Sequence, residues 1–198
     1  MSDGQQARHS DFQIDPTFLS RWSPRAFTQE EISEEQLLMI IEAARWAPSG
    51  FNAQPWRFIY VRRSALGWDT ALDILSPYNR SWAVRAAALI FIGSFERGVL
   101  PGADKPTEFI THSFDAGAAW AFLAFQAAKL GIATHAIGGF DRERAKGVLN
   151  APPDFTFDAV VALGTRGNPD SLPENLAARE GPSGRRPLSE IAFPDRFN

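Results

Sequence analysis

The stretch Asp115-Ala-Gly-Ala-Ala-Trp-Ala-Phe-Leu-Ala-Phe125, continued by Gln-Ala-Ala-Lys-Leu130 and Gly131, decides the fold class. Residues 116–125 contain neither a charge nor a side-chain amide, and glycine at 131 suits a helix C-terminal cap. A helix that is apolar all round is buried on nearly all sides, so the rest of the chain is expected to pack about it. Upstream, residues 87–93 have the length and composition of a buried strand. Downstream come a strand at 133–137, the doublet Gly138-Gly139, a helix from Asp141 to about Leu149 and a strand at 157–163. Toward the N-terminus, Ser33 and Gln36 form a capping box for a helix whose apolar face is Leu37, Ile40, Ile41 and Ala44, and which ends before Pro48. Residues 56–61 read as a strand and 66–75 as a short helix closed by Ser76-Pro77. This order is α/β or α+β, with residues 1–15 a polar lead-in without a motif and 16–198 one domain.

Composition narrows the function. The 198 residues are 44% hydrophobic, enough for one sizeable core. The formal net charge of −3 offers no single-sign field for nucleic acid or an anionic membrane. With no cysteine, disulfides, cysteine-ligated metals and thiol nucleophiles drop out, and redox chemistry requires a bound cofactor. Residues 1–10 lack the apolar core of a signal peptide, and no apolar run reaches membrane-span length, so a cytoplasmic protein is expected. Seventeen arginines stand against three lysines, which favours planar recognition of phosphate. The 12% aromatic content suits a large core, a ring-binding cavity or an apolar subunit interface. The featureless central helix and a tail (165–198) with no core of its own point to a homodimer.

The common nucleotide fingerprints are absent: no Gly-x-Gly-x-x-Gly opens a helix, and there is no Gly-x-x-x-x-Gly-Lys-Ser/Thr loop. His9, His112 and His135 have no metal-ligand spacing, and His112 and His135 read as structural. Two polar segments remain. Arg21-Trp22-Ser23-Pro24-Arg25 puts two guanidiniums and a hydroxyl within five residues, which suits either a solvated turn or a grip on phosphate and an electron-rich ring edge. Ala47-Pro48-Ser49-Gly50-Phe51-Asn52-Ala53-Gln54-Pro55-Trp56 is either an ordinary turn or a place where backbone approaches a flat ligand beside the Asn52 and Gln54 amides.

In this order, and with Asn79, Asp115-Ala-Gly-Ala-Ala, Ile137-Gly138-Gly139-Phe140-Asp141, a strand ending in Gly164 and Arg185-Arg186-Pro187-Leu188, the chain resembles the nitroreductase family of FMN-dependent, NAD(P)H-oxidising enzymes from Arg21 to Leu188. The resemblance implies an α+β three-layer sandwich with a mixed, mainly antiparallel sheet. It also implies an intimate homodimer around the long central helices, a domain-swapped C-terminal arm (165–198) and FMN bound at the interface. Carried over to this sequence, it implies that Arg21 and Arg185 hold the FMN phosphate with Ser23 nearby, and that Arg25 faces the flavin N1–O2 edge. Pro48, Ser49, Gly50 and Asn52 come from the other subunit, Asn79 bonds the ribityl or pyrimidine region, and Gly138 and Gly139 lie beside N5. The implied activity is ping-pong transfer of hydride from NAD(P)H through FMN to nitroaromatic, quinone or activated-alkene acceptors, with no metal and no covalent catalyst. The alternative is a flavin-binding or flavin-handling protein of the same fold without robust NAD(P)H turnover. Two features depart from the family pattern. Ser183 stands where many members have lysine, so one phosphate charge is missing or comes from Arg186, and weaker FMN binding is expected. Residues 94–111 are short and rich in Gly and Pro, so the acceptor pocket is expected to be open or differently lidded. Trp82, Phe109 and Phe114 flank that region in sequence, but each reads more readily as core packing and none is taken as a site residue.

Overall fold

The computed structural model describes residues 8–197, so the first seven residues of the lead-in and Asn198 of the arm lie outside the described residues. The elements run α1 (Thr17–Ser20), α2 (Glu34–Arg45), a 3-10 turn (Gly50–Asn52), β1 (Trp56–Arg62), α3 (Trp68–Leu72), α4 (Pro77–Ala83), β2 (Ala88–Phe95), β3 (Arg97–Val99), β4 (Pro106–Glu108), α5 (His112–Lys129), β5 (Ala133–Ile137), α6 (Arg142–Val148), β6 (Phe155–Gly164) and α7 (Glu174–Ala177). Four strands form an antiparallel sheet in the order β1-β2-β6-β5.

Strand alternation sends side chains to opposite faces and explains the layering. Leu89 and Phe91 of β2 and Val160 and Ala162 of β6 meet Trp68 and Leu72 of α3 and Trp82 of α4. Ile90, Ile92, Val161 and Leu163 point the other way, onto Leu37 and Ile40 of α2 and Ala119 and Leu123 of α5. Helices therefore cover both faces, giving the expected α+β three-layer sandwich. The capping box at the start of α2 forms as read, with the Ser33 hydroxyl accepting from Gln36 N–H and the Gln36 side chain accepting from Ser33 N–H.

Four expectations are corrected. The helix expected at 66–75 is confined to α3, and Ser76-Pro77 opens α4 instead of closing α3: Ser76 is the N-cap and Pro77 takes the first turn, where its missing N–H costs nothing. The short Gly- and Pro-rich stretch at 94–111 is not all irregular, because β3 and β4 pair there as a small exposed hairpin. α5 is not buried all round: Ala116, Ala119, Leu123 and Ala127 are covered, whereas Phe114 is 79% and Phe122 42% exposed. The arm is not wholly without a core, since Leu172 and Leu176 pack beneath the sheet and only the stretch beyond Glu180 stays largely exposed. No helix among the described residues is long and apolar enough to cross a membrane.

His135 on β5 stacks against the buried Trp82 indole with ring centroids 4.7 Å apart, and its Nδ1–H donates to the Pro24 carbonyl at 3.0 Å. Burial first, with the positive charge of Arg25 adding to it, pushes the imidazole down to about 4 against the opposing effect of that hydrogen bond. The folded chain therefore refuses a proton that the unfolded chain accepts below its ordinary pKa of 6.5. Stability contributed at neutral pH is lost as pH falls from about 6.5 toward 4, by on the order of 3 kcal/mol. Urea denaturation of the apoprotein at pH 7 and pH 4.5 tests this: His135→Gln is expected to lose less stability between the two than the unsubstituted chain.

Candidate functional site

The site is built on residues 21–27, an extended segment outside the main sheet. Its backbone groups are satisfied from several directions, as buried amides and carbonyls require. Thr28 N–H donates to the Thr165 carbonyl (3.1 Å) and Gly167 N–H to the Ala26 carbonyl (2.8 Å), around an isolated bridge between Phe27 and Arg166. One oxygen of Glu180 accepts from the backbone N–H groups of Arg25 (2.8 Å) and Ala26 (2.9 Å). His135 holds the Pro24 carbonyl from below.

Arg21, Ser23 and Arg185 come together as expected. Arg21 Nη1 lies 3.5 Å from the Ser23 hydroxyl, and Arg185 folds over its own turn, donating to the Gly184 carbonyl at 2.8 Å. A third guanidinium, Arg8, joins them from the lead-in: its Nε donates to the Ser183 carbonyl (2.8 Å) and its Nη1 to the Leu19 (3.1 Å) and Arg21 (2.6 Å) carbonyls. Among the described residues no carboxylate forms an ion pair with Arg8, Arg21 or Arg185. Burial, and then the charges of Arg8 and Arg185, push the Arg21 guanidinium below its ordinary pKa. Three mutually repelling cations without a counterion fit a dianion such as a phosphate monoester. Arg186, the expected source of extra charge, instead faces Glu190 at 3.7 Å.

Arg25 is not a free cation. Its Nη1 lies 3.9 Å from the second oxygen of Glu180, whose side chain is 1% exposed. Arg25 Nε and that Glu180 oxygen are buried without hydrogen-bond partners among the described residues. Farther along β5, Gly138 and Gly139 expose their backbone beside Asn79. Asn79 Nδ2 donates to the Gly139 carbonyl (3.0 Å) and the Ser76 hydroxyl (3.1 Å), and a Cβ at Gly139 would come within 2.6 Å of that nitrogen. Gly138 follows directly on the last residue of β5, Ile137, and His135 lies two residues before that strand end. Arg21 and Pro24 line one cavity, and Asn79 with Gly139 forms a separate contact a few residues beyond His135, which bonds the Pro24 carbonyl.

Pro48, Ser49, Gly50 and Asn52 lie elsewhere. Gly50 packs so closely on the start of α5 that a Cβ would approach the Thr111 hydroxyl to 2.8 Å, and its N–H points at the buried Asp115 carboxylate at 3.3–3.4 Å. Phe51, Asn52 and Gln54 all have positive φ, a strained arrangement for non-glycine residues, and Phe51 is 86% exposed. The arginine cluster sits at the opposite end of α5, where Arg21 and Ala128 line one cavity of about 390 Å³. Asp115 and Ala128 are thirteen residues apart on α5, about 20 Å at 1.5 Å per residue. The two groups of expected site residues therefore cannot meet one small ligand within a single chain.

Two other features are not part of this site. A cleft of about 890 Å³ between α2 and β1, reaching Gln54, contains none of the expected site residues. The Ser94, His112, Ser113 and Asp158 side chains form a cluster, but both hydroxyls donate to Asp158 (2.8 and 2.7 Å). His112 Nδ1, 2.8 Å from Ser94 Oγ, must then act as donor, so neither serine has a base to activate it. The cluster fastens the start of α5 to β2 and β6. Trp82 and Phe109 are core residues, whereas Phe114 projects from α5. Sequence reading missed Arg8 and Glu180, which stand singly in segments without periodicity and carry no local signal.

The nitroreductase family model matches residues 19–76, which include Arg21, Ser23, Arg25 and the Gly50 turn. A solved structure described as an oxidoreductase containing FMN is 43% identical, with a TM-score of 0.92 over 96% of each chain. An uncharacterised 15.4 kDa protein of Mycolicibacterium smegmatis is 37% identical over 71% of this chain and 97% of its own length. An NADH dehydrogenase of Thermus thermophilus is 27% identical over 88% of this chain and 92% of its own. With relatives of this identity aligned along most of its length, and with the family model lying on the segment that carries the arginines, the chain belongs to the nitroreductase family.

Proposed function

We propose that the chain is an FMN-dependent oxidoreductase that takes electrons from NADH or NADPH and passes them to nitroaromatic, quinone or activated-alkene acceptors. The observation that carries this reading is the cluster of Arg8, Arg21 and Arg185, which has no carboxylate partner among the described residues and suits a phosphate. When bound, FMN would supply the hydride-transfer chemistry between the nicotinamide and an acceptor that takes its place. Arg21 and Arg185 hold the phosphate, with the Ser23 hydroxyl beside them. Arg25 directs its guanidinium to the N1–O2 edge, where it opposes the negative charge that accumulates on reduction. Glu180 offsets part of the Arg25 charge and keeps the guanidinium in place. Asn79 serves the ribityl or pyrimidine region, and the Gly138 and Gly139 backbone reaches the N5 side.

A homodimer completes the site. Pro48, Ser49, Gly50 and Asn52 of the partner subunit line the phosphate, ribityl and dimethylbenzene side. The roughly 20 Å between the two residue groups within one chain supports this arrangement, as does the exposed aromatic face of α5 at Phe114 and Phe122. The arm beyond Arg186, carrying exposed Leu188, Ile191 and Phe197, is placed to reach across the partner. No side chain acts as a covalent catalyst, and one cavity serves donor and acceptor in turn.

An anaerobic visible spectrum of the FMN-reconstituted protein, before and after NADPH and then NADH, tests the reading. Bleaching of the flavin band by either nucleotide is expected. Bound flavin that neither nucleotide bleaches would move the chain to the flavin-handling alternative, and no bound flavin would sink the site assignment. Arg21→Ala is expected to cost about 1.5–3 kcal/mol of FMN affinity, a Kd roughly 10- to 150-fold higher by fluorescence titration. Arg25→Ala is expected to slow stopped-flow flavin reduction more than it lowers occupancy, and unchanged reduction kinetics would remove its electrostatic role.

A further inference from the structure

Arg8 lies in the lead-in, outside the segments that carry the family resemblance, yet its guanidinium sits among the residues assigned to phosphate. Its three protein contacts are all to carbonyl oxygens and use Nε and Nη1. An arginine has five N–H donors, so both hydrogens of Nη2 remain without a partner among the described residues. The contacted carbonyls belong to two separated parts of the chain, Leu19 and Arg21 at the end of α1 and Ser183 in the arm. Ser183 is the position at which a lysine is expected, and the Arg8 side chain reaches its carbonyl from 175 residues away. Arg186, the nearer candidate in sequence, is turned toward Glu190. A guanidinium held beside Arg21 and Arg185 is repelled by both, and only an anion among the three relieves that repulsion.

We propose that Arg8 is a third phosphate-binding residue, which replaces the charge lacking at Ser183 and clasps the end of α1 to the C-terminal arm around the cofactor phosphate. This rests on the FMN reading above and adds to it a residue that fixes phosphate selectivity. Arg8 acts through the phosphate alone, because its fixed contacts lie beside Arg21 and Arg185, the residues assigned to phosphate. FMN and riboflavin share the isoalloxazine ring and the ribityl chain and differ only in that phosphate. Loss of Arg8 therefore weakens FMN and spares riboflavin, whereas loss of a merely structural clasp weakens both. It also follows that the Ser183 departure does not leave the phosphate short of one charge.

The test is a fluorescence titration of the full-length apoprotein with FMN and, separately, riboflavin at one ionic strength, for the unsubstituted chain, Arg8→Ala, Arg8→Lys and Arg186→Ala. Arg8→Ala is expected to raise the FMN Kd about tenfold or more and to leave the riboflavin Kd within about twofold. Arg8→Lys keeps the charge without the planar fork and is expected to fall between the two. Arg186→Ala is expected to match the unsubstituted chain. Equal weakening of both flavins by Arg8→Ala would overturn the proposal, as would an FMN Kd that does not change or a loss that follows Arg186 instead. Each of these leaves the FMN reading intact, because the unsubstituted protein still binds FMN. If the unsubstituted protein binds neither flavin, the cofactor reading itself fails and this inference falls with it. Melting temperatures of the apoproteins establish that each variant is folded, and Arg8→Lys keeps the test decisive if Arg8→Ala does not fold.

Discussion

Residues 21–27 carry three of the proposed cofactor contacts but have no place in the main sheet, and the site depends on how their backbone is satisfied. A buried segment without a strand neighbour leaves donors and acceptors that cost about 1–3 kcal/mol each when unpaired. This chain meets that requirement with groups distant in sequence: Glu180 accepts from the Arg25 and Ala26 amides, His135 donates to the Pro24 carbonyl, and Gly167 donates to the Ala26 carbonyl. Each supporting group comes from a different part of the chain, namely β5, the start of the arm and the arm beyond α7. The segment is therefore a product of the finished fold. Its side chains are oriented by the same contacts, since Glu180 binds both the backbone and the guanidinium of Arg25.

Charge is distributed with the same economy. At Arg25 one buried carboxylate offsets one guanidinium, which keeps the cation in place. By contrast, Arg8, Arg21 and Arg185 have no carboxylate among the described residues, and burial of Arg21 makes its positive charge more costly. Such an arrangement suits an external anion bound in the working state. The difference between these two regions, one compensated and one not, matches a ligand that carries its full charge at one end and acquires charge at the other only on reduction.

α5 sets the scale. It packs against the sheet through small residues, Ala116, Ala119 and Ala127, which allow close approach, and it presents Phe114 and Phe122 outward. Its length separates the Gly50 turn from the arginine cluster, so the proposed site requires residues from two chains. The strained backbone at Phe51, Asn52 and Gln54, anchored through Gly50 to Asp115, belongs on this reading to the neighbouring subunit's cofactor.

Much of this was legible in the sequence. Periodicity, the Ser33–Gln36 capping box and the uncharged run at 116–125 located α2, β1, β2, α5, β5, α6 and β6 to within a few residues, because those signals are local and repeated. The ordered motifs marked Arg21, Ser23 and Arg185 as one group, which the fold brings together, and gave Asn79 and Gly139 separate roles, whereas the fold sets them in contact. Other features had no local signal. Ser76-Pro77 is compatible with closing one helix or opening the next, and only the packing of Trp82 into the core selects the second. The exposed hairpin at 94–111 is too short to show alternation. Arg8, Glu180 and the ion pair that removes Arg186 from the site each depend on contacts between residues far apart in the chain or on the conformation of an irregular tail. The sequence by itself thus determined the secondary elements, the fold class and the family, because these follow from patterns repeated along the chain. The tertiary structure alone decided which charges are compensated and which are left for a ligand, because compensation is set by distances of a few ångströms between groups that the chain order keeps apart.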